Sequence, residues 1–354
     1  MGFCSHCSVC QLSLIFLVIM GVAGSFVAFA NEDTALHLPE IILIADAGNH
    51  WVFGCTLQGT LVWSAGERGQ LGEISEGLLS QPLFVQHCQD DRVVVADASQ
   101  GLIVEYTPLQ VARVTRVLPE DQGRGQLPVI RSAFKLDSGN YLYADGGQHW
   151  VAEIASQGGT APALADGQGG ISTPGDRLQV IWSFGQRDFP GRQTLLYGPT
   201  WAQPLANGNI LIADSLNGRV LETDRQGNIV RQHGAEGLTE SEVILIEPVC
   251  VEWLATGEYL VCDPGQGQVL EIDGSGKIVW KLDTVTVADE RMPLQRPVHA
   301  TRLGSELTLI TDAALEDVLL VDRKGKVLWS YEAVAAVSDS LKPLAAPAMA
   351  IPVF

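Results

Sequence analysis

Apolar and polar residues follow one another along this chain in short blocks, without a sustained helical period. Six blocks of mostly aliphatic and β-branched residues end in an aspartate: IILIAD at Asp46, VVVAD at Asp97, YLYAD at Asp145, ILIAD at Asp214, YLVCD at Asp263 and LTLITD at Asp312. Successive aspartates lie 51, 48, 69, 49 and 49 residues apart. Ahead of the last five stands a second block that opens on proline: QPLFVQHC, LPVIRSAF, GPTWAQPL, EPVCVEWL and RPVHATRL. Proline lacks an N–H and suits the first residue of a strand. Behind each aspartate come two more strand-like blocks, such as VLETD and IVW. The connections carry turn chemistry. Ser138-Gly139, Asn207-Gly208 and Thr256-Gly257 supply positive φ for tight hairpins, and each aspartate can accept backbone N–H bonds two residues on. A period near 49, built of four strands, predicts a six-bladed β-propeller of four-stranded antiparallel blades.

Two irregularities refine the picture. A glycine recurs thirteen residues after the aspartate (Gly59, Gly227, Gly276, Gly325) and a tryptophan seventeen after it (Trp63, Trp280, Trp329), but Trp182 follows Asp145 by 37. The third unit therefore carries a loop insertion, residues 156–176, between its last two strands. The first unit has no proline-led strand before Ile41, whereas Pro347 lies 50 residues after Pro297, in phase with the others. The segment APAMAIPVF is predicted to close the ring as the innermost strand of the first blade, which would otherwise expose an unpaired edge. Recurrence also assigns roles. Trp63, Trp182, Trp280 and Trp329 are expected to pack between blades. Glu105, Glu153, Glu222 and Glu271, eight residues after their aspartates, mark a structural or solvated position.

Residues 1–30 differ from the rest. They hold no charged side chain; Leu12 to Ala23 is apolar and Ala28-Phe29-Ala30 fits a cleavage site. Residues 1–30 read as a signal peptide or an N-terminal membrane anchor, the anchor reading drawing on the absence of any basic residue before Arg68. Residues 31–354 are then a single exported propeller: periplasmic, luminal or extracellular, touching a membrane only through residues 12–30 if these are uncleaved. A net charge of −19 repels phosphate backbones, so no nucleic-acid partner is expected. The retained cysteines would be Cys55, Cys88, Cys250 and Cys262. Cys250 and Cys262 sit at equal distances from Thr256 in one hairpin, as a disulfide candidate or as two packed thiols.

The candidate ligand-binding residues are His50, Trp51, His149, Trp150, His299 and Arg131. His50-Trp51 and His149-Trp150 occupy one repeat position in blades 1 and 3, and His299 begins an inner strand. Arg131, Glu252, Thr301 and Gln86 lie three or four residues after their prolines, with Gln203 corresponding in blade 4, so some of them should face the central channel. The chain contains no nucleophile elbow, phosphate loop or H-E-x-x-H motif, and no catalytic residue or cofactor is assigned. The leading expectation is a non-catalytic binding or scaffold propeller that presents one face to a protein partner or a small polar ligand. The alternative is a lyase or transferase whose His-lined axial site uses zinc or calcium.

ILIADSLNGRVLETDRQGNIV resembles the repeats of NHL-type six-bladed propellers, with Asp214, Asn217, Arg219 and Val220 in the characteristic places and Asp46, Asn49 and Val52 as a partial match. The resemblance covers residues 40 to 354 and implies the fold. EIDGSGKIVW and LVDRKGKVLW are similar to the tryptophan-docking motif of quinoprotein propellers, one residue short between Asp and Gly. They also resemble repeats of bacterial arylsulfotransferases. The His-x-Asn signature of that family does not occur, so none of its catalytic residues transfers.

Overall fold

The structure, a computed structural model, describes residues 38–108, 111–117, 128–155, 179–185, 196–234, 243–338 and 340–354. The expected signal or anchor segment at 1–30 and the insertion at 156–176 lie outside the described residues. Six four-stranded antiparallel sheets are present, each running from an inner strand a to an outer strand d, as the repeat predicts. The inner strands are Pro347–Val353, Pro82–His87, Ile130–Lys135, Pro199–Pro204, Cys250–Trp253 and Pro297–Leu303 for blades 1 to 6. Strands b and c of every blade are almost wholly buried between neighbouring sheets. Among the described residues no helix is long and apolar enough to cross a membrane.

The ring closes as the sequence predicts. Ile41–Asp46 pairs antiparallel with Pro347–Val353, matching Ile41 to Val353, Leu43 to Ile351 and Ala45 to Met349. The junction is extended by Gly48 N–H donating to Ala345 O at 2.7 Å and Ala345 N–H donating to Asp46 Oδ1 at 2.9 Å. Gly48 admits no side chain, because a Cβ there would overlap the Ala345 carbonyl.

The repeated aspartates are all fully buried. Each caps its own turn and also holds the segment leading into its own strand a. Asp145 accepts the N–H groups of Gly147 and Gln148 and that of Val129. Asp97 accepts from Ser80, Gln81 and Gln100, and Asp312 from Gln295, Arg296, Ala314 and Leu315. One carboxylate thus organises both the b–c turn and the d–a connection of a blade.

The outer tryptophans join neighbouring blades. Trp182 Nε1–H donates to Arg225 O at 2.9 Å, Trp280 to Arg323 O at 2.8 Å and Trp329 to Leu57 O at 2.9 Å, while Trp63 packs edge-on against Tyr106. The recurrent glutamates are buried and reach the next blade. Glu105 meets Lys135 and Tyr141, Glu153 meets Arg225, Glu222 accepts from Tyr259, and Glu271 takes both Arg302 and Arg323. They are structural and not solvated.

Two features differ from the sequence reading. A hairpin, Thr284–Val287 with Glu290–Pro293, follows blade 5 and turns through positive φ at Ala288 and Asp289. In blade 3, Ile130 takes the place opposite the aspartate that Pro82, Pro199 and Pro297 hold elsewhere. Pro128 lies 17 residues before its aspartate and those prolines lie 15 before theirs.

Each ladder hydrogen bond is worth about 1 kcal/mol, and the closing strand also buries Met349 and Ala350. Deletion of residues 343–354 is expected to abolish cooperative thermal unfolding, followed by circular dichroism; melting at the wild-type temperature would show the ring stable without this strand. Gly48→Ala is expected to destabilise by about 1–3 kcal/mol in urea titrations, as overpacking does.

Candidate functional site

Side chains of the inner strands alternate, so every second one faces the axis. Thirteen residues before each of the last five aspartates stand Phe84, Ser132, Trp201, Cys250 and His299, and Met349 completes this ring in blade 1. Ring-bearing and ring-free side chains alternate around it. Met349 Sδ accepts from Val85 N–H at 3.4 Å and Ser132 Oγ accepts from Ala202 N–H at 3.1 Å. The Cys250 thiol meets the Ala300 backbone in the same manner. The intervening blades send rings to the centre: Phe84 lies 5.8 Å from Trp201, and Trp201 lies 5.5 Å from His299, between centroids. Six large rings would not fit around one axis, and alternation fills the taper.

Eleven residues before the aspartates comes a second ring, Gln86, Phe134, Gln203, Glu252 and Thr301, with Ile351 in blade 1. Phe134 packs edge-on against Phe84 at 4.9 Å and against Trp201 at 5.2 Å. Between and beyond the two rings is an axial cavity of about 310 Å³, extending to the ends of the inner strands at His87, Val353 and Phe354. Its wall is partly aromatic, and three of its lining residues carry a fully buried polar atom with no hydrogen-bond partner among the described residues: Trp201 Nε1, Gln203 Oε1 and His299 Nδ1. Trp201 is 7% exposed and His299 is 3% exposed. Buried polar atoms are ordinarily satisfied, and these three lie behind the cavity wall, closed to solvent.

Titration at the site is strongly perturbed. Burial pushes the Glu252 carboxyl up to about 7, partly offset by the Arg302 N–H that it accepts at 3.1 Å. Cys250 and Cys262 are directly opposed in the hairpin and are free thiols, so the register that a disulfide would need is present without the bridge. Burial opposes ionisation of both. The Cys262 thiol and the His299 imidazole nonetheless bring Cys250 below its usual range, while Cys262 is pushed well above it.

The structure gathers only part of the sequence-derived set. His299, Gln86, Gln203, Glu252 and Thr301 line the cavity. His50 and His149 sit in the b–c turns at φ 60° and 61°, where blades 2, 4 and 5 carry Gly101, Gly218 and Gly267. Each is tied to the connection of the following blade: His50 Nδ1–H donates to Ser80 O at 2.5 Å, and His149 Nδ1 accepts from Gly198 N–H at 3.0 Å. Trp51 and Trp150 take the place of Arg219. Trp51 Nε1–H donates to Asp46 at 3.1 Å as Arg219 Nε–H donates to Asp214 at 2.7 Å, and Trp150 lies against Asp145. Asn49 and Asn217 bond the same two aspartates, so the NHL-like residues build the turns. Arg131 does not line the cavity. The offset of blade 3 moves it towards the start of its strand, near Glu247 and Arg296, where burial lowers its pKa, and Phe134 holds the ring position instead. Among the described residues no three His, Cys, Asp or Glu side chains converge in a group able to hold a metal ion. Sequence reasoning overlooked Phe84, Phe134 and Trp201; counting back from the aspartate and not forward from the proline would have found them.

No protein-family model matches the chain. No curated protein matches it either. Among solved structures, a Bacteroides caccae protein of unknown function is 14% identical, covering 82% of this chain and 93% of its own, with a TM-score of 0.55. A chain of a nidogen/laminin complex is 14% identical, covering 82% and 92%, with a TM-score of 0.50. A catalytically inactive Staphylococcus aureus virginiamycin B lyase with quinupristin is 10% identical, covering 81% and 87%, with a TM-score of 0.49. At these identities the first two likenesses speak for the fold alone, a six-bladed β-propeller consistent with the NHL-like repeats.

Glu252 supplies a pH signature. Its pKa in the fold is raised above the ordinary 4.5 to about 7, so its contribution to stability is fully present below pH 4.5 and is lost as pH rises through 7. The melting temperature of the wild type is expected to fall relative to Glu252→Gln across this window, measured by calorimetry, and to run parallel to it outside the window.

Proposed function

We propose that this chain is an exported, non-catalytic binding propeller that holds a small polar ligand in its axial cavity. The observation that carries the reading is one axial cavity of about 310 Å³ whose wall combines Phe84, Phe134 and Trp201 with the polar side chains of Gln86, Glu252 and Thr301. That volume and the mixture of aromatic wall with few polar groups suit a small-molecule site. A rigid ring of sheets keeps such groups in place without a ligand, which lowers the ordering cost of binding. Export rests on the apolar segment at residues 12–30.

Binding without turnover agrees with the dispersal of the histidines. His50 and His149 are each committed to a backbone partner of the next blade, and of these three candidates His299 alone lines the cavity.

The test is chemical extraction. Purified wild-type protein, denatured and analysed by mass spectrometry, is expected to release a small molecule near one per chain. Thr301→Trp, which fills the cavity, is expected to release none while melting cooperatively. Equal release from both proteins, or none from the wild type, would overturn the reading.

A further inference from the structure

The chemistry of the ligand can be narrowed, on the premise that the axial cavity binds a small molecule. Gln86 and Glu252 hold the same register position in blades 2 and 5, eleven residues before Asp97 and Asp263. Both do one structural job. Gln86 Oε1 accepts from Lys135 N–H at 2.8 Å, and Glu252 Oε2 accepts from Arg302 N–H at 3.1 Å. Lys135 and Arg302 are themselves equivalent, each ten residues before its aspartate. A neutral amide therefore suffices to clamp the neighbouring strand. The carboxyl of Glu252 adds an ionisable group in a largely buried place, which a carboxylate without a counter-ion disfavours.

The nearest protein cations have their ion pairs elsewhere. The Arg302 guanidinium is bonded to Glu271 and Thr308 and stacked over Trp280 at 4.6 Å. Lys135 pairs with Glu105 at 2.8 Å. Among the described residues Glu252 has no ion pair. Phe134 and Trp201 also line the cavity, packed edge-on against each other at 5.2 Å.

We infer that the axial cavity takes a small primary ammonium compound with a flat apolar body, its nitrogen at the Glu252 carboxylate and its body against Phe134 and Trp201. An ammonium group carries three donors and no acceptor, matching a carboxylate that takes one backbone N–H, from Arg302, and keeps further acceptor capacity. Aromatic faces add attraction for a cation. Desolvation strengthens the pairing with Glu252.

The charged and titratable groups around Glu252 are Cys250 on its own strand, His299 and Arg302 on the inner strand of blade 6, and His87 across the cavity. Cys250 raises the Glu252 pKa, and His299 and Arg302 lower it. Ammonium binding draws on the ionised carboxylate.

The experiment is isothermal titration of the full chain with a matched series: phenethylammonium, 2-phenylethanol and 3-phenylpropionate. The ammonium compound is expected to bind at least about tenfold more tightly than the alcohol, with propionate weakest. Its affinity should rise by up to about tenfold per pH unit below 7 and level off above. Glu252→Gln keeps the strand clamp, as Gln86 shows, and is expected to fold, to lose at least about tenfold in ammonium affinity and to lose the pH dependence. Equal binding of the alcohol or the propionate, or unchanged ammonium affinity in Glu252→Gln, would overturn the cation assignment while leaving the small-ligand reading intact. Binding of none of the three would also overturn it, and the extraction experiment would then decide the cavity's role separately.

Discussion

A ring of sheets has no free inner edge only if its first and last sheets are joined, and in this chain a single antiparallel pairing does the joining. Ile41–Asp46 would otherwise form the inner edge of a three-stranded sheet, with its N–H and C=O groups open towards the axis. Pro347–Val353 takes up those groups and brings Met349, Ile351 and Val353 to the centre. The cavity wall is therefore completed by residues some 300 positions from the strand they pair with. Fold and site share this dependence, because the first ring lacks its sixth member until the closing strand is in place.

Within each blade the governing interaction is the buried aspartate. Its desolvation is compensated by several backbone donors and, in blades 1 and 4, by Asn49 with Trp51 or Asn217 with Arg219. Burial still raises the pKa of Asp46, Asp145 and Asp214. The short period of the sequence exists because every blade must rebuild this one carboxylate cage, and it was legible for that reason. The repeated tryptophans were legible on the same grounds. The hairpin at Thr284–Val287 and Glu290–Pro293 was not, since it occurs once and its turn residues, Ala288 and Asp289, are unusual at positive φ.

The candidate site was only half legible. Repeat position marked Gln86, Gln203, Glu252, Thr301 and His299, because strand register carries a side chain to a face whatever its chemistry. It misplaced Arg131, because proline was taken as the origin of the inner strand and Pro128 stands two residues early. Recurrence also drew attention to His50 and His149, whose recurrence reflects a left-handed turn position held by glycine in three other blades. The orphaned atoms of Trp201, Gln203 and His299 could not be read from the chain, since satisfaction of a donor or acceptor depends on neighbours from other blades.

The glutamates that bridge blades are absent from two of the six units. Gly54 and Leu320 stand where Glu105, Glu153, Glu222 and Glu271 stand elsewhere, and the corresponding joints use Trp63 against Tyr106 and Trp329 on Leu57 O. Both joints flank the composite blade, assembled from the two ends of the chain. Two of the six seams around the disc are thus fastened without a buried glutamate at this position, and they are spared the desolvation cost that such a charge carries at the other four.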